Sequence, residues 1–237
     1  MFFKDHPRFL ETSTTANNAG RLDMRHTAMF ESNKQIFPGA RVLDIASHDG
    51  RWSMAALKMG AAHVTGIEVM PDMVKSAEET FAHYAVDPST YRFINDDVFD
   101  VLSNAAAHQV EVDVVMCLGF MYHTLRYQEL LAGVRALRPQ HFLIDTAVIL
   151  DERPVVKLNL EDVSKQSAGD DHTFTHQGRL ITGRPSVPAL ELLLEGHGFE
   201  IVDKFDWPAF ISTKPNARAV ASYATGKRVT WLCAPAA

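Results

Sequence analysis

Several acids and one histidine in this chain stand where short apolar runs end. Asp44 falls in Arg41-Val-Leu-Asp-Ile45, Glu68 closes His63–Glu68, and Asp97 follows Tyr91–Asn95. Asp145 lies late in His141–Ala147, and His123 follows the apolar run Val112–Leu118. A carboxylate at a strand end can accept both hydroxyls of a ribose or hold a cationic amine. An imidazole, with an ordinary pKa of about 6.5, can take the proton of a hydroxyl; it can equally serve as a structural hydrogen-bonding group in a loop. Asp145 with Asp170-Asp171, beside His172, offers hard oxygen ligands that suit Mg²⁺, which would hold and acidify a substrate hydroxyl. A solvated acidic loop is the other reading of that pair.

The elements that position these residues follow from the pattern around them. Val42, Leu43 and Ile45 make a run too short for a helix, leading into the polar turn Ser47-His48-Asp49-Gly50 and a helical stretch that ends near Met59-Gly60. A second β-branched run then ends on Glu68. Strand, turn, helix and strand ending in a carboxylate form one βαβ unit, the unit that binds nucleosides at the carboxyl end of a parallel sheet. The diphosphate fingerprint Gly-x-Gly-x-x-Gly is absent, because Ala46 and His48 stand where glycines are needed and only Gly50 remains. An acid at Asp44 would repel a diphosphate and attract a cationic amine. S-adenosylmethionine has an ammonium, a sulfonium and a ribose, and no phosphate.

Further along, Pro71 opens a helix whose apolar face is Val74, Ala77, Phe81 and Tyr84. The run Val112–Leu118 suits a central parallel strand covered on both faces. Tyr127, Leu130, Leu131, Val134 and Leu137 mark a helix that Pro139 terminates, and His141–Ala147 is a fifth strand. The alternation breaks over Ile149–Pro188, which reads as short strands and loops inserted after strand five. Ser186 caps the next helix with Pro188 in its first turn, and Phe199–Val202 with Arg228–Cys233 makes a closing antiparallel pair. Residues 1–40 form an N-terminal segment with a helix over Arg21–Phe37. It either packs on the sheet or lies over the ligand as a lid, with Arg21 or Arg25 meeting an anionic group.

The motif Asp44-Ile-Ala46-Ser-His48-Asp-Gly50 resembles the first motif of the class I S-adenosylmethionine-dependent methyltransferases, Asp/Glu-x-Gly-x-Gly-x-Gly, departing from it at two glycines. The run Cys117-Leu-Gly-Phe-Met-Tyr122-His123 resembles a signature of the enzymes that build the carboxymethoxy group on tRNA wobble uridine, and of their methyltransferase relatives. The resemblance spans about Arg21 to His141. It implies an α/β doubly wound, Rossmann-like seven-stranded sheet with an insert at about 149–188. It implies a cofactor set of Asp44 for the amine, Glu68 for the ribose, and Asp97 and Val98 for the adenine, with Ala46, His48, Gly50, Val69 and Cys117 alongside. Reactive residues are expected at the fourth strand's end, with His123 as base and Tyr122 against the substrate.

The bulk numbers narrow the function. The chain has 237 residues, 46% of them hydrophobic, and a net charge of −6 without a basic cluster, which disfavours RNA and DNA as partners. No apolar run is long enough to span a bilayer, and two cysteines in apolar runs suit free thiols in a cytoplasmic protein. The tRNA relatives carry a long basic N-terminal extension, and here about 40 residues precede the first strand. The expected activity is therefore methylation of a hydroxyl on a small molecule such as a sugar, with Mg²⁺ as a candidate aid and a homodimer allowed. The alternatives are a tRNA-modifying (carboxy)methyltransferase and a non-catalytic scaffold whose cofactor site has decayed.

Overall fold

β1 (Arg41–Ile45) is buried at every position after Arg41, which places it inside a sheet covered on both faces. It pairs in parallel with β2 (His63–Glu68) on one side and β4 (Val114–Leu118) on the other, so Asp44 stands level with Gly66 and Met116. β3 (Tyr91–Asn95) lies beyond β2, and β5 (His141–Ala147) beyond β4, with Leu118 opposite Asp145. Antiparallel β9 (Arg228–Pro235) and β8 (Phe199–Lys204) close the far edge, giving the order β3-β2-β1-β4-β5-β9-β8. This is the expected doubly wound sheet, and the chain order reverses between β1 and β4, where such sheets open a crevice for ligands. The computed structural model describes residues 1–12, 19–106, 110–164, 173–214 and 220–236.

Successive residues of a strand point to opposite faces, and each face here has its own core. Leu43, Ile45, Val115, Cys117, Phe142 and Ile144 pack under α5 (Val98–Ser103), α6 (Tyr127–Ala136) and α7 (Val187–Gly196). Val42, Val64, Val114, Met116 and Leu143 pack on the other face, under α3 (Arg51–Lys58), α4 (Pro71–His83) and the N-terminal segment. This is why the central strands read as unbroken apolar runs. Ser186 caps α7 by accepting from the Ala189 amide at 3.2 Å, with Pro188 in the first turn.

The insert after β5 is an antiparallel hairpin of β6 (Val156–Asp162) and β7 (Arg179–Pro185), forming a sheet of its own. The N-terminal segment comprises α1 (Phe2–Asp5), a 3₁₀ turn (Pro7–Leu10) and α2 (Ala19–His26). The single helix expected over Arg21–Phe37 is broken. α2 passes into a π turn (Thr27–Glu31), which turns Ala28, Met29 and Phe30 inward together, and a 3₁₀ turn (Lys34–Ile36) follows. α8 (Trp207–Ser212) and α9 (Ala221–Ala224) are too short to show a period in sequence. Trp207, Ile211, Val220 and Tyr223 cluster with Met24 and Ala28 of the N-terminal segment, and Trp207 stacks on Tyr223 with ring centres 3.8 Å apart.

Candidate active site

The turn after β1 decides whether the missing glycines matter. Ala46 and His48 both have φ of 54° and Gly50 has φ of 76°, so all lie in the left-handed region that favours glycine. The backbone keeps a glycine-type loop although two side chains are present, at a cost of about 1–2 kcal/mol for each non-glycine residue. Gly50 has a second constraint, because a Cβ there would stand 2.8 Å from Phe93 and 2.9 Å from Phe81. Ala46 is exposed and His48 half-buried, so the loop presents an open face at the carboxyl edge of the sheet.

Three carboxylates surround this turn. Asp44 is 1% exposed and accepts from Ser53 Oγ at 2.6 Å. Burial first, then the charges of Glu68 and Asp49, push its pKa up to about 7 against the hydrogen bond from Ser53. Glu68 is 6% exposed and accepts from the His48 amide at 2.8 Å and the Met70 amide at 3.0 Å, tying β2 to the first turn. Asp49 is buried, and burial alone would raise its pKa. Arg51, bonded at 2.7 and 2.6 Å, and His48 hold it well below the carboxylate range instead. Thr12 also donates to Asp49.

These groups fit S-adenosylmethionine. Asp44 stays half-neutral near pH 7 without a cation and would ionise beside one. Each Glu68 oxygen accepts one backbone N–H and keeps a lone pair for a ribose hydroxyl. At the end of β3, Asp97 caps α5 by accepting from the Phe99 amide at 2.7 Å, with Val98 directly after it. Val69 is half-buried, its carbonyl accepting from Asn95 Nδ2 at 2.9 Å. Cys117 lies at the end of β4, beside Ile45 of β1. Its side chain is fully buried in the core, and burial pushes its thiol up to about 12.

At the end of β4 the chain makes a 3₁₀ turn over Met121–His123. His123 Nδ1 lies 2.8 Å from Glu161 Oε2 of β6, and both side chains are mostly buried. Tyr122 lies against His123 with ring centres 4.2 Å apart, and its hydroxyl accepts from Arg228 Nη1 at 3.3 Å. Glu161 escaped the sequence reading because it lies 38 residues away, in an insert whose pairing no local pattern reveals.

The metal reading of Asp145 is overturned. Its Oδ1 accepts from Arg25 at 3.0 Å and from Arg228 Nε at 2.7 Å, and its Oδ2 from Tyr223 at 2.8 Å and Thr230 at 2.7 Å. Burial would raise its pKa, but the two arginines and the hydrogen bonds bring it down to about 2. A carboxylate enclosed by guanidinium groups has no room for, or attraction to, a dication. Among the described residues no group of three His, Cys, Asp or Glu side chains is placed to hold a metal ion. Asp170 and Asp171, the rest of the expected Mg²⁺ set, lie outside the described residues. Among the described residues no helix is long and apolar enough to cross a membrane.

Residues 42–140 match the family model described as a methyltransferase domain. The N-terminal domain of EvdMO1 with S-adenosylhomocysteine bound superposes with a TM-score of 0.62 at 17% identity, covering 95% of this chain and 85% of that one. The fold is the class I methyltransferase fold. The same EvdMO1 domain in the presence of S-adenosylhomocysteine and D-fucose gives a TM-score of 0.59 at 17% identity, over 87% of this chain and 80% of that one. A Listeria monocytogenes protein described as an S-adenosylmethionine-dependent methyltransferase gives 0.62 at 13% identity, over 92% of this chain and all of that one. In sequence, the chain is 32% identical over 95 residues to a Methanocaldococcus jannaschii protein named for ribosomal RNA large subunit methyltransferase activity. That match spans 40% of this chain and about a quarter (24%) of the relative.

Proposed function

We propose that this chain is an S-adenosylmethionine-dependent methyltransferase that methylates a hydroxyl of a small molecule, with His123 as the base. The observation that carries the reading is the His123–Glu161 pair at the end of β4, within a methyltransferase fold. The cofactor, when bound, supplies a methyl already activated on a sulfonium, which leaves the protein to hold the acceptor and remove its proton. Asp44, Glu68, Asp97 and the backbone at Val98 would hold that cofactor. With the proton on Nδ1 donated to Glu161, Nε2 carries the lone pair that takes the hydroxyl proton, and the Glu161 carboxylate steadies the imidazolium that forms. Tyr122 positions the acceptor at the same corner. Mg²⁺ has no part in this reading, since Asp145 is engaged by arginines.

A sugar-like acceptor is consistent with the EvdMO1 domain, whose structure was obtained in the presence of D-fucose. RNA is the weaker alternative for a chain of net charge −6. A scaffold with a decayed site has no physical need for left-handed backbone at Ala46 and His48. Calorimetric titration with S-adenosylhomocysteine tests the reading: binding is expected, and none at millimolar ligand would sink it. Once an acceptor is found by release of S-adenosylhomocysteine, His123→Ala is expected to lower kcat by about 10²–10⁴-fold with cofactor affinity unchanged. A near-normal rate would remove His123 as base.

A further inference from the structure

A cleft of about 570 Å³ opens beside Tyr122, at the carboxyl end of β5. Among the described residues five cations line it: Arg21 of α2, Lys157 of β6, Arg184 of β7, Lys227 just before β9 and Arg228 at its start. No carboxylate among the described residues is in its lining. The concentration runs against the chain as a whole, which is acidic. The cleft also adjoins the reactive corner, since a Cβ at Gly119, just past β4, would stand 3.3 Å from Arg228 Nη2 and 3.7 Å from the Tyr122 hydroxyl.

Resting on the transferase reading above, we propose that this cleft binds the acceptor through an oxyanion, so that the acceptor is a small hydroxylated carboxylate or phosphate ester. Charge carries the argument. Lys157 and Arg184 stand directly opposite each other across the β6–β7 hairpin, a cross-strand pair of like charge that destabilises a sheet unless a counter-charge arrives. Deeper in, Arg25 and Arg228 share the single carboxylate of Asp145. Arg21, beside them, has its pKa lowered chiefly by burial and also by Arg25 and Arg228, against the opposing pull of Tyr223 and Asp145. An arginine cannot lose its proton near neutral pH, so a bound anion would ease the repulsion within this group and between Lys157 and Arg184.

The polar groups suit the same ligand. Tyr122 accepts from Arg228 and keeps its own O–H to donate. Ser222 Oγ, also in the lining, is buried without a hydrogen-bond partner. The cations converge from four elements into one concavity of the size that takes a metabolite. RNA binding would spread them along an extended surface.

The test is calorimetry on the full chain saturated with S-adenosylhomocysteine, titrated with inorganic phosphate, with citrate and with D-glucose. Phosphate or citrate is expected to bind and glucose not to, and which oxyanion binds more tightly assigns the acceptor's anionic group. In the double variant Lys157→Gln/Arg184→Gln, both positions being exposed, oxyanion affinity should fall by roughly ten- to hundred-fold as charge-assisted bonds are lost. S-adenosylhomocysteine affinity should be unchanged. No oxyanion binding at about 10 mM, roughly ten times the 1 mM of a weak specific affinity, would overturn the inference while bound S-adenosylhomocysteine left the transferase reading intact. Equal oxyanion binding by variant and parent would also overturn it. So would competition between citrate and S-adenosylhomocysteine, which would give the cleft to the cofactor. A short RNA that binds more tightly than either oxyanion, and is lost in the variant, would replace the small acceptor with a nucleic acid. Failure to bind S-adenosylhomocysteine with phosphate still bound would overturn the transferase reading and the acceptor assignment together.

Discussion

The two halves of the sheet's carboxyl edge are charged in opposite senses. Around the turn after β1, Asp44 feels the charges of Glu68 and Asp49, and Arg51 pairs with Asp49. Beyond β5, Arg21, Arg25 and Arg228 gather about one carboxylate, Asp145. The two excesses are relieved differently. A buried carboxylic acid can keep its proton, and Asp44 does so up to about pH 7. A guanidinium cannot become neutral in this range. The acidic half can therefore stand without a ligand and ionise when a cation arrives, while the basic half carries its charge permanently. On the two proposals above, the acidic side is the one for a cationic nucleoside and the basic side the one for an anionic acceptor.

The comparison is broken most severely at Asp145. Asp145→Ala leaves two largely buried guanidinium groups without their carboxylate and should destabilise the fold by about 3–5 kcal/mol, read as a fall in the urea midpoint. The pH dependence has a definite sign. The folded pKa of about 2 lies below the ordinary 3.8, so Asp145's contribution is complete above pH 4 and is lost as pH falls through about 2. The variant should lack that acid-limb contribution. An unchanged midpoint in Asp145→Ala would show that the arginine cluster does not depend on it.

Asp44 sharpens the other side with the opposite sign. Its folded pKa of about 7 lies above the ordinary value, so its contribution is complete below about pH 4 and declines as pH rises through 7. Asp44→Asn should flatten stability between those limits. If Asp44 holds the ligand's ammonium, S-adenosylhomocysteine binding at pH 6 should expel a proton, and calorimetry in buffers of differing ionisation enthalpy measures this directly. Binding without proton release would detach Asp44 from the amine.

The smallest effect belongs to the turn between the halves. Ala46→Gly removes left-handed strain at φ of 54° and should stabilise the fold by about 0.5–1 kcal/mol, net of the extra chain entropy of glycine. Cofactor affinity should stay level, because the backbone already has the required shape. A loss of stability would mean that the Ala46 side chain makes a contact worth more than the strain.

Local pattern made the framework legible. Val42-Leu43 and Val114–Leu118 read as central strands because both faces of the sheet bury them, and Ser186 and Pro188 announced α7. Glu68 and Asp97 stood out for the same reason: one ends β2 and the other stands two residues past β3, and the limits of both strands lie within a few residues. Charge pairing was decided elsewhere. Asp145 meets Arg25 across 120 residues, Tyr223 across 78 and Arg228 across 83, and nothing in the run His141–Ala147 distinguishes that environment from a metal site. Glu161 reaches His123, and Lys157 faces Arg184, only because the insert closes into a hairpin above β4 and β5. The left-handed conformation of Ala46 and His48 was equally hidden, since neither side chain requires it. A strand or a cap is settled by near neighbours in the chain, so sequence shows it. The charge on a buried side chain is settled by groups that topology alone brings together.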